Sequence, residues 1–300
     1  MSERIKAPVH PYIAIGTGIF FISTGAILVR AIEAPPLVIA FYRVFLASII
    51  LFLLKPREFI STLKTAGTKN YLVAGIAGGF LALHFGVWIA SLNYTTVANS
   101  VVLVDSAPLI AVVLSHFILK EKGTIIILGG IMLAMVGAVV ISWGDLSANP
   151  AYFTGDILAI IGAFAEAAYL VSSKIVRTNM PFVPFLILVY GYSALFLVIF
   201  CIVTGDHLWG YSFGVYVLFF GLAIIPTIGG HSLFLYALRY MKAFLVNLGF
   251  LGEPIGAALL AYIFFREVPS LFFYAGGSLI IIGSLFAILK EEWGKKKADS

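Results

Sequence analysis

Ten apolar runs, each close to twenty residues long and parted by short polar or charged breaks, follow one another along this chain of 300 residues. A helix needs about 20 residues to cross roughly 30 Å of hydrocarbon, and in lipid every backbone N–H and C=O must be satisfied within a helix or a closed barrel. Barrel strands alternate apolar and polar residues, whereas these runs are continuous, so they predict an all-α membrane protein. Composition closes off the soluble alternative: hydrophobic residues make up 61% and charged residues 11%, against about 45–50% and 25% in soluble domains. The net charge of +5 does not point to nucleic acid, because the basic residues are scattered among the breaks and form no stripe with interleaved aromatics. Cys201 sits in an apolar run without a second cysteine and reads as packing.

The runs fall at 11–32, 36–54, 71–91, 97–119, 124–142, 153–174, 182–204, 213–236, 243–265 and 270–290. The breaks carry turn chemistry or charge: Pro35 and Pro36, KPRE from Lys55, SLNYTT from Ser91, KEKG from Lys120, and WGDLSANPAYFTGD from Trp143 to Asp156. Arg4 and Lys6 precede the first run as in a secretory signal, but the run continues to Ile32 with no small-residue cleavage site, so it reads as an uncleaved span. With a cytoplasmic N-terminus, that side collects Arg4, Lys6, Lys55, Arg57, Lys64, Lys69, Lys120, Lys122, Lys174, Arg177, Arg239, Lys242, Lys290, Lys295, Lys296 and Lys297. The far side keeps Arg30 and Arg266, and Arg43 is left inside a span. Miscounting one helix would exchange every loop downstream, so this asymmetry predicts ten spans with both termini in the cytoplasm.

The fourth run, Val97 to Leu119, carries Asp105 near its middle and Pro108 one turn later, and it has a partner elsewhere in the chain. A shift of 146 positions lays Pro108 on Pro254, Ala111 on Ala257, Leu114 on Leu260 and Glu121 on Glu267. The same shift, without a gap, pairs Gly75 with Gly221, Leu92 with Leu238, Tyr94 with Tyr240, Gly130 with Gly276 and Gly137 with Gly283. Two units of five helices follow, 11–142 and 153–290, joined by a linker at 143–152 and flanked by cytoplasmic tails at 1–10 and 291–300. An odd helix count makes the second unit enter the membrane in the opposite sense, an inverted-topology repeat, which is the sequence mark of secondary transporters.

Three stretches carry a family resemblance. They are HFGVWIASLNYTTVANSVVLVDSAPLIAVVLSHFILKEK from His84, FYRVFLAS in the second run, and GEP followed by FFREVPSLFFYAGGSLIIIG in the second half. Together they resemble the EamA-type transporters of the drug/metabolite transporter superfamily, over about 11–290. The resemblance implies ten helices around a central cavity built mainly by helices one, three, four, six, eight and nine, and the export or uptake of small metabolites such as amino acids. Phosphorylated substrates are disfavoured, because no set of phosphate-binding Lys and Arg falls inside the spans. The motifs are specific for the superfamily and poor for substrate.

Ionisable side chains at mid-membrane cost about 2.5–3.5 kcal/mol on insertion scales and must face protein or water. Asp105 precedes Pro108, whose missing N–H frees the Val104 carbonyl and bends the helix. It is a proton carrier or cation partner, or else a buried acid satisfied by neighbouring donors. Glu253 directly precedes Pro254, where a helix break and a substrate contact are equally good readings. Glu166, Tyr169 and Ser173 share one face of the sixth run, facing the cavity or a neighbouring helix. His84 and Trp88 are four apart on the third run, and His231 falls one position from the equivalent of His84; the pair suits proton coupling or serves as neutral bundle contacts. Arg43, about 10 Å from the outer end of its helix, is within reach of the interface; it anchors a substrate carboxylate or partners Asp105 or Glu253. Tyr42, Tyr190, Tyr192 and Tyr236 make an aromatic cage or pack between helices. Pro108 and Pro254 are the hinge positions.

The leading expectation is a secondary transporter, with export the favoured direction, of an amino acid or related amphipathic solute by alternating access, with protons as a coupling ion. An uncoupled facilitative carrier or exchanger is the alternative. An intramembrane enzyme is disfavoured by the lack of HExxH, GxSxG or metal-ligand spacing, and a channel by the lack of a filter or charged ring. No GxxxxGK[ST] motif is present for ATP. The expected setting is a multi-pass protein of a prokaryotic inner membrane, a monomer or homodimer, without cofactor, metal or nucleic acid.

Overall fold

The computed structural model describes residues 8–120, 129–130, 132–133, 136–137, 139–141, 143–144 and 149–298. Its helices are α1 Pro11–Arg30, α2 Pro36–Leu54, α3 Pro56–Thr65, α4 Thr68–Ser91 and α5 Val97–Leu119 in the first half. The second half holds α6 Pro150–Arg177, α7 Phe182–Thr204, α8 Phe213–Ala237, α9 Ala243–Phe265 and α10 Leu271–Ala298. Among the described residues all regular structure is helical, and eight helices (α1, α2 and α4–α9) are long and apolar enough to cross a membrane. The apolar part of α10, Leu271–Gly283, is shorter, and the fifth run of the sequence falls largely outside the described residues. Large apolar side chains stand on the outer surface, among them Ile13, Phe20, Phe117, Ile202 and Val203, the arrangement of a bundle solvated by lipid.

Two local expectations are corrected. The KPRE break is the start of α3, a ten-residue helix with proline at its first position, where the missing N–H costs nothing. It is mostly exposed and carries Arg57 and Lys64, which suits a helix lying at a membrane surface. The sixth run, placed at 153–174 from the sequence, is part of a longer helix, α6, that begins at Pro150, again with proline at its first position.

The 146-residue repeat reappears as backbone geometry. Helix α5 runs Val97–Val104, breaks at Asp105 and Ser106, and resumes at Ala107. Helix α9 runs Ala243–Gly249, tightens to a 3-10 turn at Phe250–Gly252, and resumes at Glu253. Starts and restarts differ by 146 in both cases (97 to 243, 107 to 253), and Pro108 and Pro254 each take the second position of the resumed helix. Each proline withdraws one N–H from the preceding turn and crowds the carbonyl four residues back, which ends the first segment. The termini match as well: Lys120 and Arg266, again 146 apart, have φ of 54° and 58°, the left-handed conformation that stops a helix.

Packing follows the repeat. Helices α2 and α7 pack together, as do α5 and α9, each pair joining equivalent members of the two halves. The contact of α4 with α6 has its counterpart in α8 with α1, and that of α4 with α7 in α8 with α2. At Gly78 the α4 and α7 backbones touch: a Cβ there would lie 2.6 Å from Tyr192 Cβ and 2.9 Å from the Val189 carbonyl. Gly137 and Gly276 meet in the same way, each opposed to the other's carbonyl oxygen.

Candidate functional site

The broken helices point their breaks at one place. Asp105 and Val104 from α5, and Phe250 and Glu253 from α9, line a small internal cavity together with Arg43 from α2, His84 and Trp88 from α4, Glu166 from α6 and His231 from α8. Its volume is about 20 Å³, room for roughly one water and far below the 300–1,000 Å³ of small-molecule sites. Six ionisable side chains therefore meet in the apolar interior: three carboxyls, one guanidinium and two imidazoles.

Arg43 is 1% exposed and does not snorkel. Its Nε donates to Thr227 Oγ1 at 2.8 Å, and its guanidinium lies 3.9 Å above the Phe85 ring and 5.7 Å from the Trp88 ring. A planar, delocalised cation tolerates this position because the ring faces present negative charge to it. Among the described residues Nη1 has no hydrogen-bond partner, and neither does Asp105 Oδ2.

His84 is held at both ring nitrogens. Nδ1 lies 3.1 Å from the Gly162 carbonyl, and Nε2 lies 3.3 Å from Glu166 Oε2. A carbonyl only accepts, so the Gly162 contact places a hydrogen on Nδ1. In the neutral ring Nε2 is then an acceptor facing a carboxyl group, and a favourable contact requires one proton, carried by the acid or by the imidazole. The approach is close without hydrogen-bond alignment, since both Glu166 oxygens lack a hydrogen-bond partner among the described residues. Trp88 stacks parallel to His84 at 6.1 Å between ring centroids, and His231 comes within 6.2 Å of it.

Helix α8 explains how His231 reaches that position. From Ala223 to His231 it is π-helical, a rare form that recurs at functional sites. Pro226 inside this segment has no N–H to return to the Leu222 carbonyl, and Thr227 Oγ1 donates to it instead at 2.8 Å. The wider turn delays the helix by about one residue, or about 100°, so that His231 points where residue 230, the formal equivalent of His84, would point in an α-helix. Pro226→Ala restores the missing N–H. We expect it to return the segment to α-register and swing His231 off the cavity. A short bifunctional thiol reagent that joins cysteines placed at positions 84 and 231, in a Cys201→Ser background, should lose that cross-link when Pro226→Ala is added.

The remaining sequence candidates separate. Tyr169 and Ser173 are fully buried on α6 beside Glu166, each hydroxyl without a hydrogen-bond partner among the described residues. Tyr190 bonds Ser232 at 3.0 Å, one residue beyond His231. Tyr42 is not in the cavity: its hydroxyl donates to the Leu208 carbonyl and its ring stacks on Phe219 at 4.4 Å. Tyr236 is also elsewhere, bonded at 3.0 Å to both the N–H and the carbonyl of Val9. Tyr192 covers Gly78. No residue of α1 lines the described cavity, and α2 contributes Arg43 in its place; Ser23 of α1 donates to the Ile19 carbonyl of its own helix at 2.9 Å and comes within 3.5 Å of the Glu253 carbonyl. Thr227, Phe85 and Phe250 carry no ionisable group to mark them in the sequence, although a Pro-Thr pair inside an apolar run followed soon after by Gly-Gly-His is a legible irregularity.

The chain matches the EamA-like transporter family twice, over residues 11–143 and 153–289. It is 23% identical over 216 residues to the uncharacterized transporter YdfC of Bacillus subtilis (strain 168), covering 71% of this chain and 70% of that one. An uncharacterized transporter of Archaeoglobus fulgidus is 26% identical over 279 residues, 91% of this chain and 94% of its own length. The uncharacterized transporter sll1164 of Synechocystis is 26% identical over 219 residues, which are 69% of this chain and 62% of the relative. A solved crystal structure shares the fold, with a TM-score of 0.69 over 93% of this chain and 96% of the other at 20% identity. Two family matches that together cover most of a chain of apolar helices, each broken at corresponding places around buried charge, show that this protein belongs to the EamA-like transporter family and is a membrane transporter rather than an enzyme.

Proposed function

We propose that the protein is a secondary carrier that exports a small zwitterionic solute, an amino acid or close relative, in exchange for protons. Ten spans form two inverted halves of five in a prokaryotic inner membrane, with both termini cytoplasmic. The observation that carries this reading is the pair of helix breaks 146 residues apart that face one cavity and bring Asp105 and Glu253 into it. The exchanged contacts, α4 with α6 against α8 with α1, support two halves that trade conformations to open alternately on either side.

The solute class follows from the lining. Arg43 has an unpartnered Nη1 to receive a carboxylate, Asp105 and Glu253 offer oxygens to an ammonium group, and Trp88 and Phe250 offer apolar surface to a side chain. The small volume corresponds to a closed conformation that must widen to load its cargo. The His84–Glu166 contact is the coupling element: it needs one proton, and an arriving ammonium group supplies positive charge that favours release of that proton.

Reconstituted in liposomes and offered radiolabelled amino acids, amines and nucleosides, the protein should take up a subset containing both ammonium and carboxylate, saturably, and faster when the pH inside differs from that outside. Non-saturable flux would indicate a channel. Saturable flux of solutes lacking an ammonium group would overturn the zwitterion assignment.

A further inference from the structure

Away from the cavity, Arg30 at the end of α1 makes an unusually complete set of contacts. Its Nη1 lies 2.8 Å from Glu267 Oε1, its Nε donates to the Leu92 carbonyl at 3.0 Å, and its Nη2 donates to the Thr95 carbonyl at 2.7 Å. Glu267 uses its second oxygen, Oε2, to accept from the Val97 N–H at 3.0 Å, the first residue of α5. One ion pair therefore ties together the end of α1, the turn between α4 and α5, the start of α5, and the segment between α9 and α10. An isolated exposed pair is worth little, but a guanidinium with three acceptors and a carboxylate with two donors is a fixed, bidentate-like network.

The other end of the bundle carries a counterpart. Lys174, in the last turn of α6, bonds the Met241 carbonyl between α8 and α9. Met241 is Thr95 displaced by 146, and α6 is the repeat equivalent of α1. In both halves, then, a cation from the end of the first helix grips the carbonyl at the same position of the turn between the third and fourth helices. At the Arg30 end the grip also reaches across to the other half, because Glu267 belongs to the second repeat.

We propose that Arg30 and Glu267 form the gate that closes the cavity on the side of the α4–α5 turn, and that Lys174 on the Met241 carbonyl is the matching clamp on the opposite side. The inference rests on the carrier reading. Each passage of solute through the first mouth breaks the Arg30–Glu267 network while the Lys174 clamp holds, and the reverse step exchanges them. Ser23 lies on α1 between gate and site, about 10 Å along the helix from Arg30 by helical rise.

The test places a reporter at Ser23→Cys in a Cys201→Ser background and measures labelling by a membrane-impermeant maleimide added to either side of intact vesicles. Arg30→Ala and Glu267→Gln should each raise labelling from the Arg30 side about tenfold, the size expected for one charge-assisted contact. Arg30→Lys, which keeps a cation opposite Glu267 and can still donate to a carbonyl, should label at a rate between the parent and Arg30→Ala, and Lys174→Ala should lower labelling. Size-exclusion profiles check folding, and the graded lysine variant distinguishes a lost gate from a damaged helix end. Labelling unchanged in both Arg30→Ala and Glu267→Gln, or as fast in Arg30→Lys as in Arg30→Ala, overturns the gate and leaves the carrier standing. A parental cysteine labelled at once from both sides removes the carrier and the gate together.

Discussion

Glu166→Gln should abolish proton-driven accumulation while leaving solute exchange intact. A pH difference of one unit stores about 1.4 kcal/mol per proton, so a carrier that moves one proton for each neutral solute concentrates it about tenfold at equilibrium. In the native site His84 donates from Nδ1 to Gly162 and meets Glu166 with Nε2, and in the proposed mechanism this contact holds the exchangeable proton. A glutamine satisfies Nε2 with its amide N–H and has no proton to give up. Accumulation in liposomes with a one-unit gradient should fall from about tenfold to a ratio of one, whereas exchange of labelled for unlabelled solute continues. The other ionisable groups facing the pair are Arg43, Asp105, His231 and Glu253 in the cavity wall, with Tyr169 and Tyr190 buried nearby. Asp105→Asn is the informative comparison, because it removes an acid from the same cavity without touching the His84 contact; it should weaken solute binding and leave the accumulation ratio of bound cargo unchanged. Full accumulation by Glu166→Gln, or its loss in Asp105→Asn alone, would place the travelling proton on another acid.

How much of this was readable beforehand depends on which residues one considers. The membrane class and the duplication were legible because both are written in periodic features: long apolar runs, and matched prolines at 108 and 254 that fall at equivalent places in α5 and α9. The meeting of Asp105, Glu166, Glu253, His84, His231 and Arg43 was approachable because lipid leaves an ionisable residue few places to go. Aromatic residues gave no such constraint. Tyr42 and Tyr236 are as content against a loop carbonyl or the N-terminal backbone as in a cavity, and spacing along one helix does not say which neighbour it faces. His231 falls one position from the equivalent of His84 in the sequence; the π-helical turn around Pro226 corrects that mismatch, and a register change of this kind leaves no period in the sequence. The same limit applies to Arg30 and Glu267, which are 237 positions apart and read singly as loop charges.

Arg43 should be the least replaceable residue of the site, and for shape as much as for charge. It faces three carboxyls and two imidazoles in a cavity that holds no other arginine or lysine among the described residues, and it is almost wholly buried. Arg43→Ala leaves those carboxyls without a fixed counter-charge and Thr227 Oγ1 without its donor; breaking one side of a buried charge cluster costs about 3–5 kcal/mol. Some of that cost is recovered if an acid takes up a proton, so the unfolding temperature of the detergent-purified protein should fall clearly but the protein should still be recoverable. Arg43→Lys keeps the charge yet lacks the Nε donor to Thr227 and the flat guanidinium that lies 3.9 Å over Phe85. An ammonium group is also more strongly hydrated and fits that ring face less well. We expect the lysine variant to unfold between the alanine variant and the native protein, and both variants to lose saturable uptake. Native stability and uptake in Arg43→Lys would mean that the site uses only a point charge there, and the carboxylate-binding role would pass to another group. Native stability in Arg43→Ala would mean that the three acids do not share one field with the arginine at all.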